Sequence, residues 1–448
     1  MDLFGTAGIR GPVTDVTPAL ALAVGRGAGA EDTEFVVGRD GRETGPALAD
    51  AMAAGLESAG STVERVGTVP TPTLAFASRG RRGVMLTASH NPPADNGIKL
   101  FVDGSEYDST AERRIEERVA DDAGQADWDR WGHAGRTDPL PAYREAVVDF
   151  AGRHGDDPTD CTVAVDCGNG MGSLATPQVV TSIGAETVAL NANVDGHFTA
   201  RESKPTAETL ADLRAFVADG GADIGIGHDG DADRIVVVDG AGEVVHEDTV
   251  LAILAEHYTR ASDAGDPVVV TTPNASGRID ERVRESGGRT ERVHLGALHE
   301  GIARVRAEGD DETAVVFAAE PWKHVHPAFG GWIDAVVSAA VFVRLVAVDG
   351  LDALREPVTE RPYRKESVRC PDAQKESVMA RLETALPEQY PEASVETEYG
   401  IRLTFPDDAW TLVRPSGTEP YVRVYAESEA VDTLVESVTD IVADTVDS

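Results

Sequence analysis

Hydrophobic and polar positions alternate along most of the chain between two patterns. Short apolar runs bounded by turn residues read as strands: Glu34–Gly38, Thr62–Val66, Val84–Leu86, Cys161–Asp166, Glu186–Leu190, Pro267–Thr271 and Thr313–Phe317. Between them lie stretches whose apolar residues return every three or four positions, predicting helices over Ala47–Leu56, Ser109–Val119, Tyr143–Phe150, Ala207–Val217 and Asp334–Leu345. Residues 109 to 112, Ser-Thr-Ala-Glu, form a capping box that opens one of these helices. Strands that alternate with helices predict α/β layers with a largely parallel sheet, in which ligands gather at the carboxyl ends of strands. The pattern changes near the C-terminus. A charged linker over 361–369 leads to a meander of strands at 394–397, 401–405 and 410–413 and a closing helix, which is an α+β arrangement.

At 448 residues the chain exceeds a single core. The pattern divides it at 1–152, 153–248, 249–358 and 359–448.

The chemistry sits where strands end. The run Val84-Met-Leu86 stops at Thr87-Ala-Ser-His-Asn-Pro-Pro93, which places Ser89 and His90 on a tight loop. Asn96-Gly97 reads as a turn that sends Ile98–Val102 back beside the first strand and returns Lys99 towards Ser89. Phe4–Gly11 offers three glycines and Arg10, suited to a phosphate or simply to a bent strand. Gly168-Asn-Gly-Met-Gly172 lacks both the dinucleotide spacing and the P-loop lysine, so tight packing is favoured there.

In Asp229-Gly-Asp-Ala-Asp-Arg234 three carboxylates, Asp229, Asp231 and Asp233, can turn to one point, a hard oxygen set suited to Mg²⁺ or Ca²⁺. The calcium-binding EF-hand is excluded, because its sixth and twelfth positions would be Arg234 and Gly240. Arg234 beside them suits a phosphate oxygen. At 320 to 324, Glu320 can accept from sugar hydroxyls, Trp322 can stack on a sugar face, and Lys323 and His324 can bind phosphate or move protons. Arg414, Ser416, Gly417 and Thr418, with Arg423 close behind, make a compact phosphate grip. Each of these loops taken alone also reads as an ordinary polar turn.

Composition narrows the partners. With 78 acidic against 40 basic residues the net charge is −38, which argues against nucleic-acid and anionic-membrane partners. The acid is spread along the chain, as on proteins from salt-rich cytoplasm, so the fold is expected to loosen at low ionic strength. Only Lys99, Lys204, Lys323, Lys365 and Lys375 are lysine, so each merits attention. Cys161, Cys167 and Cys370 lack paired spacing and imply neither a zinc site nor a disulfide. No run of about 18 apolar residues occurs, and the N-terminus lacks a signal pattern, which reads as cytoplasmic.

In order, Thr-Ala-Ser-His-Asn-Pro at 87–92, Asp-Gly-Asp-Ala-Asp-Arg at 229–234 and Arg-Pro-Ser-Gly-Thr-Glu-Pro at 414–420 resemble the phosphoserine, metal and phosphate loops of the α-D-phosphohexomutase family. The resemblance implies three similar α/β/α-layer domains around a central cleft and a smaller C-terminal α+β domain. It implies that Ser89 carries a phosphoryl group and shares Mg²⁺ with the three aspartates. Arg10, Arg234 and Lys99 would surround the moving group, Lys99 and His324 would move protons, and the 414–418 loop would hold the second phosphate. The implied activity interconverts hexose 1-phosphate and 6-phosphate through a 1,6-bisphosphate intermediate, in a monomer or homodimer; the acid spread along the chain, not the resemblance, points to a halophilic archaeon.

The sugar loop departs from the family's Gly-Glu-x-Ser-Gly-His: here it is Ala319-Glu-Pro-Trp-Lys-His324, and the downstream Asp-Gly is Asp334-Ala335. A cationic Lys323 near the hydroxyls favours glucose or mannose phosphate over glucosamine phosphate, and Trp322 leaves a pentose phosphate open. A metal-dependent sugar phosphatase and a non-catalytic sugar-phosphate sensor are the remaining alternatives.

Overall fold

The computed structural model describes residues 3–5, 8–30, 34–416 and 419–447. The chain forms two compact units, one of residues 1–250 with 316–355, the other of 251–315 with 356–448.

In the first unit, strands β1 (Ile9–Pro12), β2 (Glu34–Arg39), β3 (Thr62–Thr68), β4 (Arg82–Leu86), β5 (Asp95–Val102), β6 (Ser105–Glu106) and β7 (Ala134–Arg136) make one sheet in the order β1-β5-β4-β2-β3-β7, with β6 beside β5. The strands from β4 to β7 along this order are parallel, and β5 is antiparallel to both neighbours. Phe35, Val37, Val63, Val84 and Leu86 point into a core shared with Val24, Met52 and Leu56 of the helices Pro18–Gly29 and Gly45–Ser58. Burying these side chains contributes about 1.5–3 kcal/mol each, and holds β4 rigid up to the loop that carries Ser89. A second sheet, β11-β10-β8-β9, is built from β8 (Thr162–Asp166), β9 (Glu186–Leu190), β10 (Ile224–His228) and β11 (Ile235–Val238). The aspartate loop is the connection from β10 to its antiparallel partner β11.

In the second unit β12 (Asp266–Thr271) and β13 (Arg289–Arg292) pair in parallel. The chain returns to the first unit within β14 (Thr313–Glu320), which forms a hairpin with β15 (Lys323–Val325). The rest of the second unit is an antiparallel sheet, β16-β20-β19-β18-β17, made by β16 (Tyr363–Arg369), β17 (Ser394–Glu396), β18 (Ile401–Thr404), β19 (Trp410–Pro415) and β20 (Tyr421–Glu427). The helices Asp372–Gln389 and Val431–Asp447 cover it. Among the described residues no helix is long and apolar enough to cross a membrane. The three cysteines are free.

Four details differ from the sequence expectation. Asn96-Gly97 is not a turn but lies inside β5, where a Cβ on Gly97 would sit 2.5 Å from both Ile9 O and Thr87 O. The glycine is there for close strand approach, and the reversal comes earlier, around Pro93-Ala94. The cap of the helix Ser109–Ala120 is Asp108, whose carboxylate accepts from Ala111 N, one residue before the predicted box. Residues 363–369 are not linker but the edge strand β16, and their charges suit an exposed edge that must not recruit a further strand. The helix expected from Ala207 begins at Ala211.

Candidate active site

Ser89 stands just past the end of β4 in the left-handed region, at φ +51°, and is fully buried. A non-glycine residue there costs on the order of 1–3 kcal/mol and persists only where surroundings impose it. Here they do. Ser89 N–H donates to Thr87 Oγ1 at 2.9 Å, and Thr87 in turn donates to Asp40 at 2.7 Å. Arg42, buried completely, pairs with Asp40 through Nε at 3.0 Å and spreads its other nitrogens over the carbonyls of Ser89, Asn91, Pro92 and Asp95. Ser203 adds a hydrogen bond to Ser89 O at 3.0 Å.

These contacts aim the hydroxyl. Ser89 Oγ donates to Asp229 Oδ2 at 2.7 Å and lies 3.5 Å from Asp233 Oδ1 and 3.3 Å from His90 Nδ1. The loop bearing the aspartates comes this near because its second residue has no side chain: a Cβ on Gly230 would fall 2.7 Å from Ser89 O. Behind the loop, Arg201 bonds to Asp166 and to His228 O, and His228 donates from Nδ1 to Arg234 O while its Nε2 lies 2.9 Å from Thr176 Oγ1.

Asp229, Asp231 and Asp233 are each at most 1% exposed, and one oxygen from each lies within 4.8 Å of the others. Thr71 Oγ1 donates to Asp231 Oδ2 at 2.6 Å, but Asp231 Oδ1 is buried without a partner. Burial, and after it repulsion from Asp233 and Asp231, hold the Asp229 carboxyl well above the usual carboxylate range. Asp233 goes the other way: burial alone would raise it, but Lys323, Lys99 and Arg234 keep it ionised. An orphaned buried oxygen inside a hard oxygen set fits a divalent cation such as Mg²⁺.

Cations ring the group. Lys99, carried on β5, sets Nζ 3.0 Å from Asp233 Oδ2, 3.5 Å from Glu106 and 3.8 Å from Asp231. Burial would lower its pKa, but these carboxylates outweigh burial and hold it protonated. Arg234 Nε approaches Asp229 at 3.9 Å and Asp233 at 4.0 Å. Arg10 presents Nε and Nη2 buried and without partners, as a phosphate fork would before its ligand arrives. Burial, then Arg234 and Arg10, push His90 down to about 3, so it is neutral at pH 7.

The sugar loop is the tip of the β14–β15 hairpin. Trp322 takes φ +69°, accepts through its backbone oxygen from Ile235 N at 3.0 Å, and has Lys204 Nζ and Arg234 Cζ 5.9 and 5.8 Å from its ring centroid. Lys323 sets Nζ 3.3 Å from Asp233 Oδ2, and Glu320 faces it across the hairpin at the final pair. His324 is buried, which lowers its pKa to about 3. Its Nδ1 lies 3.0 Å from Ser338 Oγ, which also meets His326 Nε2 at 2.8 Å and donates to Asp334 O at 2.9 Å. His324 Nε2 is buried and without a partner, and the ring is neutral at pH 7.

In the second unit, Arg414 bonds Tyr425 Oη at 2.9 Å, and its Nε, like that of Arg423, is buried without a partner. Ser416 is nearly buried, and Lys375 Nζ ties the loop by donating to Ser416 O at 2.5 Å and Glu419 O at 2.6 Å. Gly417 and Thr418 lie outside the described residues.

The structure thus brings Ser89, His90, Lys99, Arg10, Arg234, Lys323 and the three aspartates together, with His324 on the same hairpin. Sequence reasoning missed Asp40, Arg42, Thr71, Ser203 and Lys375, which hold the loops. Only Lys375 carried a signal, as one of five lysines.

The chain matches the phosphoglucomutase/phosphomannomutase family over three domains: alpha/beta/alpha domain I at residues 1–125, alpha/beta/alpha domain II at 142–242, and the C-terminal domain at 367–445. It is 42% identical to a phosphopentomutase of Thermococcus kodakarensis, over 96% of this chain and 94% of that protein. It is 33% identical to a phosphoglucosamine mutase of Methanococcus maripaludis, over 96% of each. Among solved structures, a phosphoglucomutase/phosphomannomutase family protein of Burkholderia thailandensis superposes with a TM-score of 0.85 at 26% identity, covering 99% of this chain and 96% of that one. The domain matches and the full-length relatives make this chain a member of the phosphoglucomutase/phosphomannomutase, or α-D-phosphohexomutase, family and a phosphosugar mutase.

Proposed function

We propose that the chain interconverts a hexose 1-phosphate and its 6-phosphate, in the manner of a phosphoglucomutase or phosphomannomutase, with Ser89 as the phosphoryl carrier. The observation that carries this reading is the 2.7 Å approach of Ser89 Oγ to an aspartate cluster that has an orphaned oxygen and is ringed by Lys99, Arg234 and Arg10. Phosphoryl transfer asks mainly for alignment and charge neutralisation, which these groups provide.

In the first half-reaction the Ser89 Oγ–P bond breaks as the oxygen of a sugar hydroxyl bonds to phosphorus, giving a 1,6-bisphosphate. The hydroxyl proton leaves to an acceptor. His324, a neutral imidazole with Nε2 unpartnered, suits that role, whereas Lys99, held protonated, suits the role of donor to the departing serine oxygen. The bisphosphate then reverses, its other phosphoryl group returns to Ser89, and the isomeric monophosphate remains. Arg414, Ser416, Gly417, Thr418 and Arg423 would hold the phosphate that is not transferred. Mg²⁺ held by Asp229, Asp231, Asp233 and the serine-borne phosphate would supply charge neutralisation at the phosphoryl group. Added hexose 1,6-bisphosphate would activate the enzyme by phosphorylating Ser89.

A second reading, a pentose 1-phosphate to 5-phosphate mutase of the same mechanism, is favoured by the Thermococcus relative's name and by the bulk of Trp322 at the sugar loop. Initial rates on glucose, mannose, glucosamine and ribose 1-phosphates decide between them. Hexose substrates should be fastest, without release of inorganic phosphate. A faster ribose rate selects the second reading, a faster glucosamine rate selects the amino sugar, and release of phosphate without isomerisation selects a phosphatase.

A further inference from the structure

Lysine is scarce in this chain, which carries 35 of its 40 cations as arginine, yet three of its five lysines stand around one site. Lys99 and Lys323 share a single oxygen, Asp233 Oδ2, at 3.0 and 3.3 Å. Lys204 lies over the ring of Trp322, the residue before Lys323. An ammonium is a compact point charge and fits beside a metal and a phosphate where a planar guanidinium does not.

The hairpin is shaped to deliver Lys323. Pro321 and Trp322 form its two-residue tip between the paired Glu320 and Lys323, and Trp322 adopts a positive φ that a bulky residue avoids. That conformation is held by the bond from Ile235 N to Trp322 O, which pins the tip to the end of the aspartate loop. Lys323 is then 6% exposed, although lysine is almost never buried unpaired.

The shared oxygen says what the lysine is for. Asp233 is one of the three carboxylates that would hold a divalent cation, so the cation and Lys323 contend for the same group. Ser89 Oγ lies 3.5 Å from Asp233 Oδ1, so a phosphoryl group on Ser89, with nearly two negative charges, would come within reach of the same ammonium.

We propose that Lys323 belongs to the phosphoryl-transfer centre rather than to sugar recognition: it competes with the metal for Asp233 when Ser89 is free, and neutralises the phosphoryl group when Ser89 carries it. The inference rests on the reading of Ser89 as phosphoryl carrier. No bond is made to Lys323; its contribution is electrostatic and positional.

The test uses the full-length enzyme with Mn²⁺ as the metal probe, comparing wild type with Lys323→Met and Lys323→Gln, each checked for native circular dichroism. Two neutral replacements of different polarity keep the comparison available if one does not fold. On dephosphorylated enzyme, the neutral variant should bind Mn²⁺ on the order of tenfold more tightly, because a like charge has been removed from a ligand. In a single turnover from phosphorylated enzyme, transfer to sugar monophosphate should slow at least about tenfold, as expected for loss of a charge that stabilises the transferring group. KM for the sugar phosphate should stay within about threefold. Unchanged Mn²⁺ affinity, or unchanged transfer with altered KM and sugar preference, overturns the proposal. If wild type never acquires phosphate on Ser89, the functional reading fails, while the Mn²⁺ comparison still decides whether Lys323 competes for the metal.

Discussion

Ser89 Oγ and Asp229 Oδ2 are 140 residues apart in the chain and 2.7 Å apart in the fold. That hydrogen bond joins the loop of the proposed phosphoryl carrier to a set of mutually repelling carboxylates that suits a divalent cation. Removing divalent metal with a chelator should therefore abolish mutase activity, and Mg²⁺ should restore it. Asp231→Asn, which keeps the hydrogen bond from Thr71 but loses a charge, should cost about 10²–10³-fold in kcat, in line with several kcal/mol of charge stabilisation. Activity that survives exhaustive chelation would count against the metal.

Arg42 holds the serine loop in place. Its guanidinium serves Asp40 and four backbone carbonyls, and nothing else among the described residues reaches all of them. Arg42→Ala leaves a buried carboxylate without its cation and should destabilise the protein by about 3–5 kcal/mol, read from urea unfolding. Arg42→Lys should rescue little, since three rotating donors cannot replace a planar fork of five. Full rescue by lysine would show that charge alone suffices.

Three histidines are buried and neutral. Burial lowers His324 to about 3 and His228 to about 4, and burial together with the neighbouring His324 holds His326 well below its ordinary value. In the unfolded chain each takes a proton near pH 6.5, so between that value and about 4 the unfolded state binds more protons than the folded one. These three groups then make stability rise with pH across this window and fall on acidification, outweighing the opposite pull of Asp334, which burial raises to about 6. From pH 7 to pH 5 the loss should be about 1–2 kcal/mol for each of the three, seen in urea midpoints at fixed high salt. A midpoint that is unchanged or higher at pH 5 would contradict it.

A net charge of −38 spread over the surface sets a second solvent dependence. Self-repulsion is screened over about 10 Å at 0.1 M salt and about 3 Å at 1 M, so the melting temperature should climb by several degrees between those conditions. A melting temperature indifferent to salt would show that the acid is paired locally instead.

The sequence made the contiguous parts of the site readable and the supporting parts opaque. Ser89, the aspartates and Arg234 lie in short loops whose composition states their chemistry. Arg42, Thr71 and Ser203 are common residue types whose partners stand 47 to 160 positions away, and only the fold reveals them. Asn96-Gly97 has the composition of a turn, but its glycine is needed where β1 and Thr87 crowd the strand. The charges of 363–369 mark an edge strand as readily as a linker, because an edge is solvated like one. Lys323 was legible as a cation near the reaction, but not as a partner of Asp233, since that contact depends on the tip geometry of a hairpin that the run 319–324 does not announce.

Intact-protein mass spectrometry of the purified chain, alone and after exposure to glucose 1,6-bisphosphate, measures the central claim directly. The account predicts one added phosphate per chain, lost on incubation with hexose monophosphate and absent from Ser89→Ala. A phosphate adduct that persists in the alanine variant, or an active enzyme that never acquires one, would contradict it.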